Sequence, residues 1–121
     1  MDTLQLTVTL KEIAIELTVE GGAVKNYVLR ELTGKQRDIF LDDVGGRVKF
    51  IGGKARGLNS HKDLQANLLT MCLHNDEQKL VTIKELQDFP ASTLSTLFKA
   101  AQALSGLEDD KEEESADLGN D

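Results

Sequence analysis

The chain has 121 residues, enough for one domain with a modest core, and 21 acidic against 14 basic side chains give it a formal net charge of −7. No apolar run approaches the roughly 20 residues of a membrane span, and the opening MDTLQLTVTL has neither a basic n-region nor a small-residue cleavage site, so no signal peptide is expected. A single cysteine, Cys72, excludes an internal disulfide and fits a reducing compartment.

Leu4, Leu6, Val8 and Leu10 alternate with polar residues, as do Ile13, Ile15, Leu17 and Val19, but on the opposite parity. The second set reads as a half-buried strand. The first is either a further strand or the same strand beyond a bulge. Gly21-Gly22 suits a two-residue hairpin turn, which would set Val19 opposite Val24 and Ile15 opposite Val28. Thr33 and Gln36 form a capping-box pattern opening a helix over 34–44 that buries Phe40, Leu41 and Val44 and stops at Gly45-Gly46. Lys35, Arg37 and Asp38 are its solvated face. Residues 45–58 contain five glycines, with Val48, Phe50 and Ile51 as a short strand between loops.

The second half is helical. Ser60 can cap a helix over 61–74, NDEQK is a turn, and Thr82 with Glu85 opens a short helix that Pro90 ends. In the last helix Leu94, Leu97, Phe98, Ala101 and Leu104 make one apolar face, opposite Ser95, Lys99 and Gln102, and the helix stops near Ser105-Gly106. In 61–74 the apolar arc spans roughly 220° of the helical wheel. Such an element is either central to the core or keeps an apolar face for a partner. On the second reading Leu69 and Leu73, with Leu97 and Phe98 of the last helix, are the candidate partner-binding residues.

Residues 107–121, LEDDKEEESADLGND, hold eight acidic side chains and one lysine, which leaves 13 of each sign in residues 1–106. The net charge belongs to this tail, whose two large apolar residues cannot offset the entropy of ordering it. The organisation expected is a single α+β domain over 1–106, in which an N-terminal antiparallel hairpin or small sheet packs on about four helices. A disordered acidic tail over 107–121 follows.

Chemistry is poorly supported. GGKARG lacks the P-loop glycine, where Val48 stands, and the Ser or Thr after Lys54, where Ala55 stands. Cys72, His74 and His61 do not supply four zinc ligands at characteristic spacing, and no nucleophile has an oriented base. No catalytic, metal or cofactor-binding residue is expected, and the chain is read as a non-enzyme. Arg47, Lys49, Lys54, Arg56 and Lys62 form a basic run over 47–62 without an intervening acid, but Phe50 is its only aromatic. The run reads more simply as a solvated loop than as a nucleic-acid surface.

Three stretches together carry a resemblance: YVLRELTGKQRDIFLDD at 27–43, LQANLLTMCLHNDEQKLVT at 64–82 and LQDFPASTLSTLFKAAQALSGL at 86–107. In order and spacing they resemble the tail assembly chaperones of long-tailed bacteriophages. That family has a strand ending in a Leu-Arg-Glu-Leu/Met-Thr turn, a helix with a Leu-Cys-Leu end, and a Pro-Ala-Ser start to a last helix finishing Leu-Ser-Gly-Leu. Phe89 stands where the family has Leu, and the basic segment 45–58 has no counterpart. The resemblance implies a protein of the host cell cytoplasm that binds the tape-measure protein, and other tail components with it, keeps it soluble during assembly, and is absent from the finished virion. It also implies a longer frameshifted product in many relatives. Self-association is compatible with this role. The alternatives are a phage structural or connector protein retained in the virion, or a nucleic-acid-binding protein using 47–62.

Overall fold

A computed structural model describes residues 2–107. Apart from Leu107, the acidic stretch expected to be disordered lies outside the described residues. The fold is α+β. Strands β1 (Glu12–Thr18) and β2 (Val24–Arg30) form an antiparallel hairpin, followed by helix α1 (Gly34–Arg47). Strands β3 (Val48–Ile51) and β4 (Lys54–Leu58) form a second, separate hairpin. Helix α2 (Leu64–Cys72) runs directly into the short strand β5 (Leu73–His74), and helices α3 (Ile83–Gln87) and α4 (Ala91–Leu104) complete the chain. The first sheet has the order β1-β2-β5, so β1 is an edge strand.

The hairpin forms where expected, but one residue out of the expected register. Ile15 faces Tyr27, and Val28 faces Ala14. Val19 N–H donates to the Ala23 carbonyl at 2.8 Å and Gly22 N–H to the Val19 carbonyl at 3.0 Å, closing a three-residue loop instead of two. Gly21 and Gly22 both have positive φ, 91° and 87°, which a side chain would resist. The slip changes which residues of β2 are inside. Tyr27 and Leu29 are buried, while Val24 is exposed. Residues 4–10 make neither of the strands considered for them. They form an exposed arm that bends at Thr9.

The capping box at α1 is complete. Gln36 N–H donates to Thr33 Oγ1 at 3.2 Å, and Thr33 N–H donates to Gln36 Oε1 at 3.0 Å. Contrary to expectation, α1 runs through Gly45-Gly46 to Arg47. Glycine lowers helix propensity by about 1 kcal/mol but does not by itself end a helix. Here the last turn is held by Arg47, whose side chain bonds Asp43 one turn back. At Thr82 only half of the expected box exists. Glu85 N–H donates to Thr82 Oγ1 at 3.3 Å, while the Glu85 carboxylate instead accepts from the Tyr27 hydroxyl at 2.9 Å.

Helix α2 starts later and ends earlier than expected. Ser60 Oγ accepts from Lys62 N–H in a turn, and Asp63 caps the helix with a left-handed backbone, φ 59°. Leu73 and His74 leave the helix to pair with Leu29 and Val28. This helix is central, packing against α1, α3 and α4. Most of its broad apolar arc is thereby covered, and Leu68, Leu69 and Leu73 are fully buried, while Leu64 stays half-buried.

Helix α4 ends in a Schellman motif: Leu107 N–H donates to the Gln102 carbonyl at 2.8 Å and Gly106 N–H to the Ala103 carbonyl at 3.2 Å. Leu107, assigned to the tail from its composition, is therefore buried with the fold. Gln102, expected to face solvent, is buried as well, on the side of α4 that Leu107 folds over.

Candidate functional site: an apolar cleft between three helices

Packing of α2 on α1 and α4 leaves a cleft of about 470 Å³. Phe40 of α1, Ala66 of α2 and Phe98 of α4 form its floor, and all three are buried. The two phenyl rings meet edge to face, with centroids 6.0 Å apart at 66°, an arrangement that fixes both. The walls are aliphatic and incompletely covered. Leu41 is 39% exposed, and Val44, Leu58, Leu64 and Leu94 are half-buried. Polar groups stand at the α2 end: His61, Asp63 and Gln87, with Gln87 Nε2 donating to Asp63 Oδ1 at 2.8 Å. This bond ties the start of α2 to α3 across one wall.

Arg47 holds a second side of the site. Its Nε donates to Asp43 Oδ1 at 2.8 Å, and Nη1 donates to the carbonyls of Lys62 at 2.6 Å and Ser60 at 3.3 Å. Asn67 Nδ2 adds a longer bond to Asp43 Oδ2 at 3.4 Å. The Arg47 hydrogen bond lowers the Asp43 pKa from its ordinary value, against an opposing contribution from burial. Together these bonds fasten α1, the β4–α2 connection and α2 into one frame. Leu58, at the base of the second hairpin, is placed on the cleft by it.

The four residues proposed from sequence as partner contacts divide unequally. Leu69 and Leu73 are 0% exposed and belong to the core, because α3, α4 and β2 cover the side of α2 on which they lie, so they do not form a surface in this fold. Phe98 is 6% exposed but lines the cleft floor. Leu97, 3% exposed, lines a different groove between β1 and α4. Leu41 and Val44 were expected to be buried, yet they are the cleft's open wall. Leu58, Leu64 and Leu94 carried no sequence signal as a group, since they come from three elements whose juxtaposition is tertiary.

The basic run does not form one patch. Arg47 is engaged with Asp43, and Lys49, Lys54 and Arg56 stand exposed on the β3–β4 hairpin. Its two-residue turn, Gly52-Gly53, has φ of 61° and 80°, as a type I′ turn requires. Phe50 and Ile51 beside that turn are 67% and 60% exposed. Cys72 is 1% exposed, and burial pushes its thiol up to about 12, where it is a poor nucleophile. Among the described residues no group of three His, Cys, Asp or Glu side chains could hold a metal ion, and no helix is long and apolar enough to cross a membrane. Compared with protein-family models, curated proteins and solved structures, the chain finds no match in any of the three.

Proposed function

We propose that this protein is a phage tail assembly chaperone that binds apolar segments of the tape-measure protein in the cleft between α1, α2 and α4, and keeps that protein soluble in the host cytoplasm until the tail is built. The observation that supports this reading is the open aliphatic wall of Leu41, Val44, Leu58, Leu64 and Leu94 over a rigid aromatic floor. A groove of this kind accepts the apolar stripe of an amphipathic helix.

Magnitudes favour a reversible grip. Completing the burial of five half-covered aliphatic side chains contributes on the order of 5 kcal/mol gross. Association costs an estimated 4–15 kcal/mol, so the cleft by itself holds one short segment weakly. Tight capture needs several segments or several chaperones along one client, which suits a protein that must later let go. The acidic residues 108–121 would add negative charge to the complex and favour its solubility.

Co-expression with the tape-measure protein of the same genome tests the reading. A soluble complex that survives gel filtration, together with absence of the chain from purified virions by mass spectrometry, is the expected result. An insoluble client that does not associate would overturn it, and presence of the chain in virions would favour a structural or connector role. A basic hairpin carrying Lys49, Lys54, Arg56 and the exposed Phe50 is the feature a nucleic-acid reading would use. A DNA gel shift at low salt separates that reading from the first.

A further inference from the structure

We infer that two copies of this chain exchange their N-terminal arms, residues 3–10 of each pairing with the free edge of β1 in the other. Among the described residues nothing pairs with this edge within one copy. Val19 N–H donates to the Ala23 carbonyl and Glu31 N–H to the Lys11 carbonyl across the hairpin, so odd-numbered residues of β1 bond to β2. The N–H and C=O groups of Glu12, Ala14, Glu16 and Thr18 consequently point outward. Along the same edge runs a groove of about 420 Å³, lined by Ile15 and Leu17 of β1 and by Thr93, Leu97 and Ala100 of α4.

The arm has what that edge lacks. Leu4, Leu6 and Val8 are 82%, 82% and 99% exposed, on one face of an alternating segment. An exposed apolar strand beside an open sheet edge is a pairing liability unless something covers both. Eight arm residues span about 27 Å, against about 23 Å for the seven of β1. Laid antiparallel to β1 in an odd register, the arm sets its even-numbered apolar residues on the face of Ile13, Ile15 and Leu17 and above the groove. Its Gln5, Thr7 and Thr9 then lie beside Glu12, Ala14 and Glu16 on the solvent face. The bend at Thr9 breaks the strand between arm and β1 and lets the arm turn over to this face.

A chain's own arm is poorly placed to cover its own edge. Lys11 accepts from Glu31 N–H at 2.8 Å and donates its N–H to Glu31 Oε1 at 3.1 Å, which commits Lys11 to the β2 side. A fold-back that kept all of residues 3–8 paired would leave Thr9 and Leu10 as the whole turn, and two-residue hairpin turns need positive φ, which a β-branched threonine resists. Direct pairing of β1 with β1 in the register centred on Ala14 is disfavoured too, because it sets Glu12 of one copy against Glu16 of the other. The arm carries no charge over residues 3–10. Reciprocal exchange therefore covers both arms and both edges and closes as a two-fold dimer.

Sedimentation of the full chain with hydrogen exchange read residue by residue tests this. The native chain is expected at twice its 13.3 kDa mass, with the amides of Ala14 and Glu16 exchanging on the order of tenfold or more slower than in a monomer. Leu6→Asp with Val8→Asp changes only exposed positions, so it is expected to give a monomer with an unchanged melting temperature and fast exchange at Ala14 and Glu16. Glu16→Pro removes an outward N–H from the edge without touching the bonds to β2, and is expected to give the same monomer. A monomeric native chain, or a dimer in which the arm substitutions leave mass and Ala14 and Glu16 exchange unchanged, would overturn the inference.

Discussion

Cys72 and Tyr27 make the interior sensitive to alkali. Burial raises the Cys72 thiol from 9.0 to about 12, and burial, followed by the hydrogen bond to Glu85, raises the Tyr27 hydroxyl from 10.0 to about 12. Both groups titrate higher in the folded chain than in the unfolded one, so the fold favours their neutral forms. Their contribution is fully present below pH 9 and is lost as pH rises from 9 towards about 12. The urea midpoint is therefore expected to fall steadily across that window, with Cys72→Ala removing its earlier part. A midpoint that is flat up to pH 11 would contradict the burial of these groups. At this scale, what the sequence left open was which way the surplus apolar residues of α2 face. Periodicity measures the width of an apolar arc, and Leu69 lies inside that arc whether a helix of the same chain or a partner covers it. Phe98 was legible as an inward residue of α4. That it floors a cleft was not, because its edge-to-face partner Phe40 lies 58 positions away in the chain.

Among the elements, α1 runs directly into the β3–β4 hairpin, and Arg47 ties the far end of that hairpin back to α1. Arg47 reaches Asp43 within its own helix and the carbonyls of Ser60 and Lys62 beyond β4. Its side chain is only 16% exposed, so its charged hydrogen bonds are partly shielded from solvent and exceed the value of an ordinary surface pair. Arg47→Ala is expected to speed amide exchange in β3 and β4 and at the end of α1 while leaving β1–β2 protected, and to cost about 1.5–3 kcal/mol. Uniform loss of protection would mean that the frame is not local. Element types were largely legible from local chemistry: the Thr33–Gln36 box, the alternation in β1, and the Pro90 break before α4. Their limits were less so. Two adjacent glycines at 21–22 permit a two- or a three-residue loop, and only the packing of Tyr27 and Leu29 against the helices selects the longer one. Gly45-Gly46 resembles a helix stop until the contacts of Arg47, which are long-range, hold the turn closed.

For the whole molecule, the cleft is the claim on which the proposed function rests, and nothing local to any one segment announces it. Its walls come from α1, β4, α2 and α4, and they meet because α2 is central and the β3–β4 hairpin is tied back by Arg47. Leu41 is the informative position. It is the most exposed aliphatic side chain of the wall, so a charge there leaves the core intact while placing an unpaired carboxylate where an apolar segment would sit. The most direct measurement is co-purification of the tape-measure protein with the native chain and with Leu41→Asp, alongside Lys49→Glu with Lys54→Glu on the separate hairpin. The cleft account expects Leu41→Asp to fold with near-native melting yet lose most of the client, and the hairpin variant to retain it. A folded Leu41→Asp chain that still recovers the client in full would contradict the account.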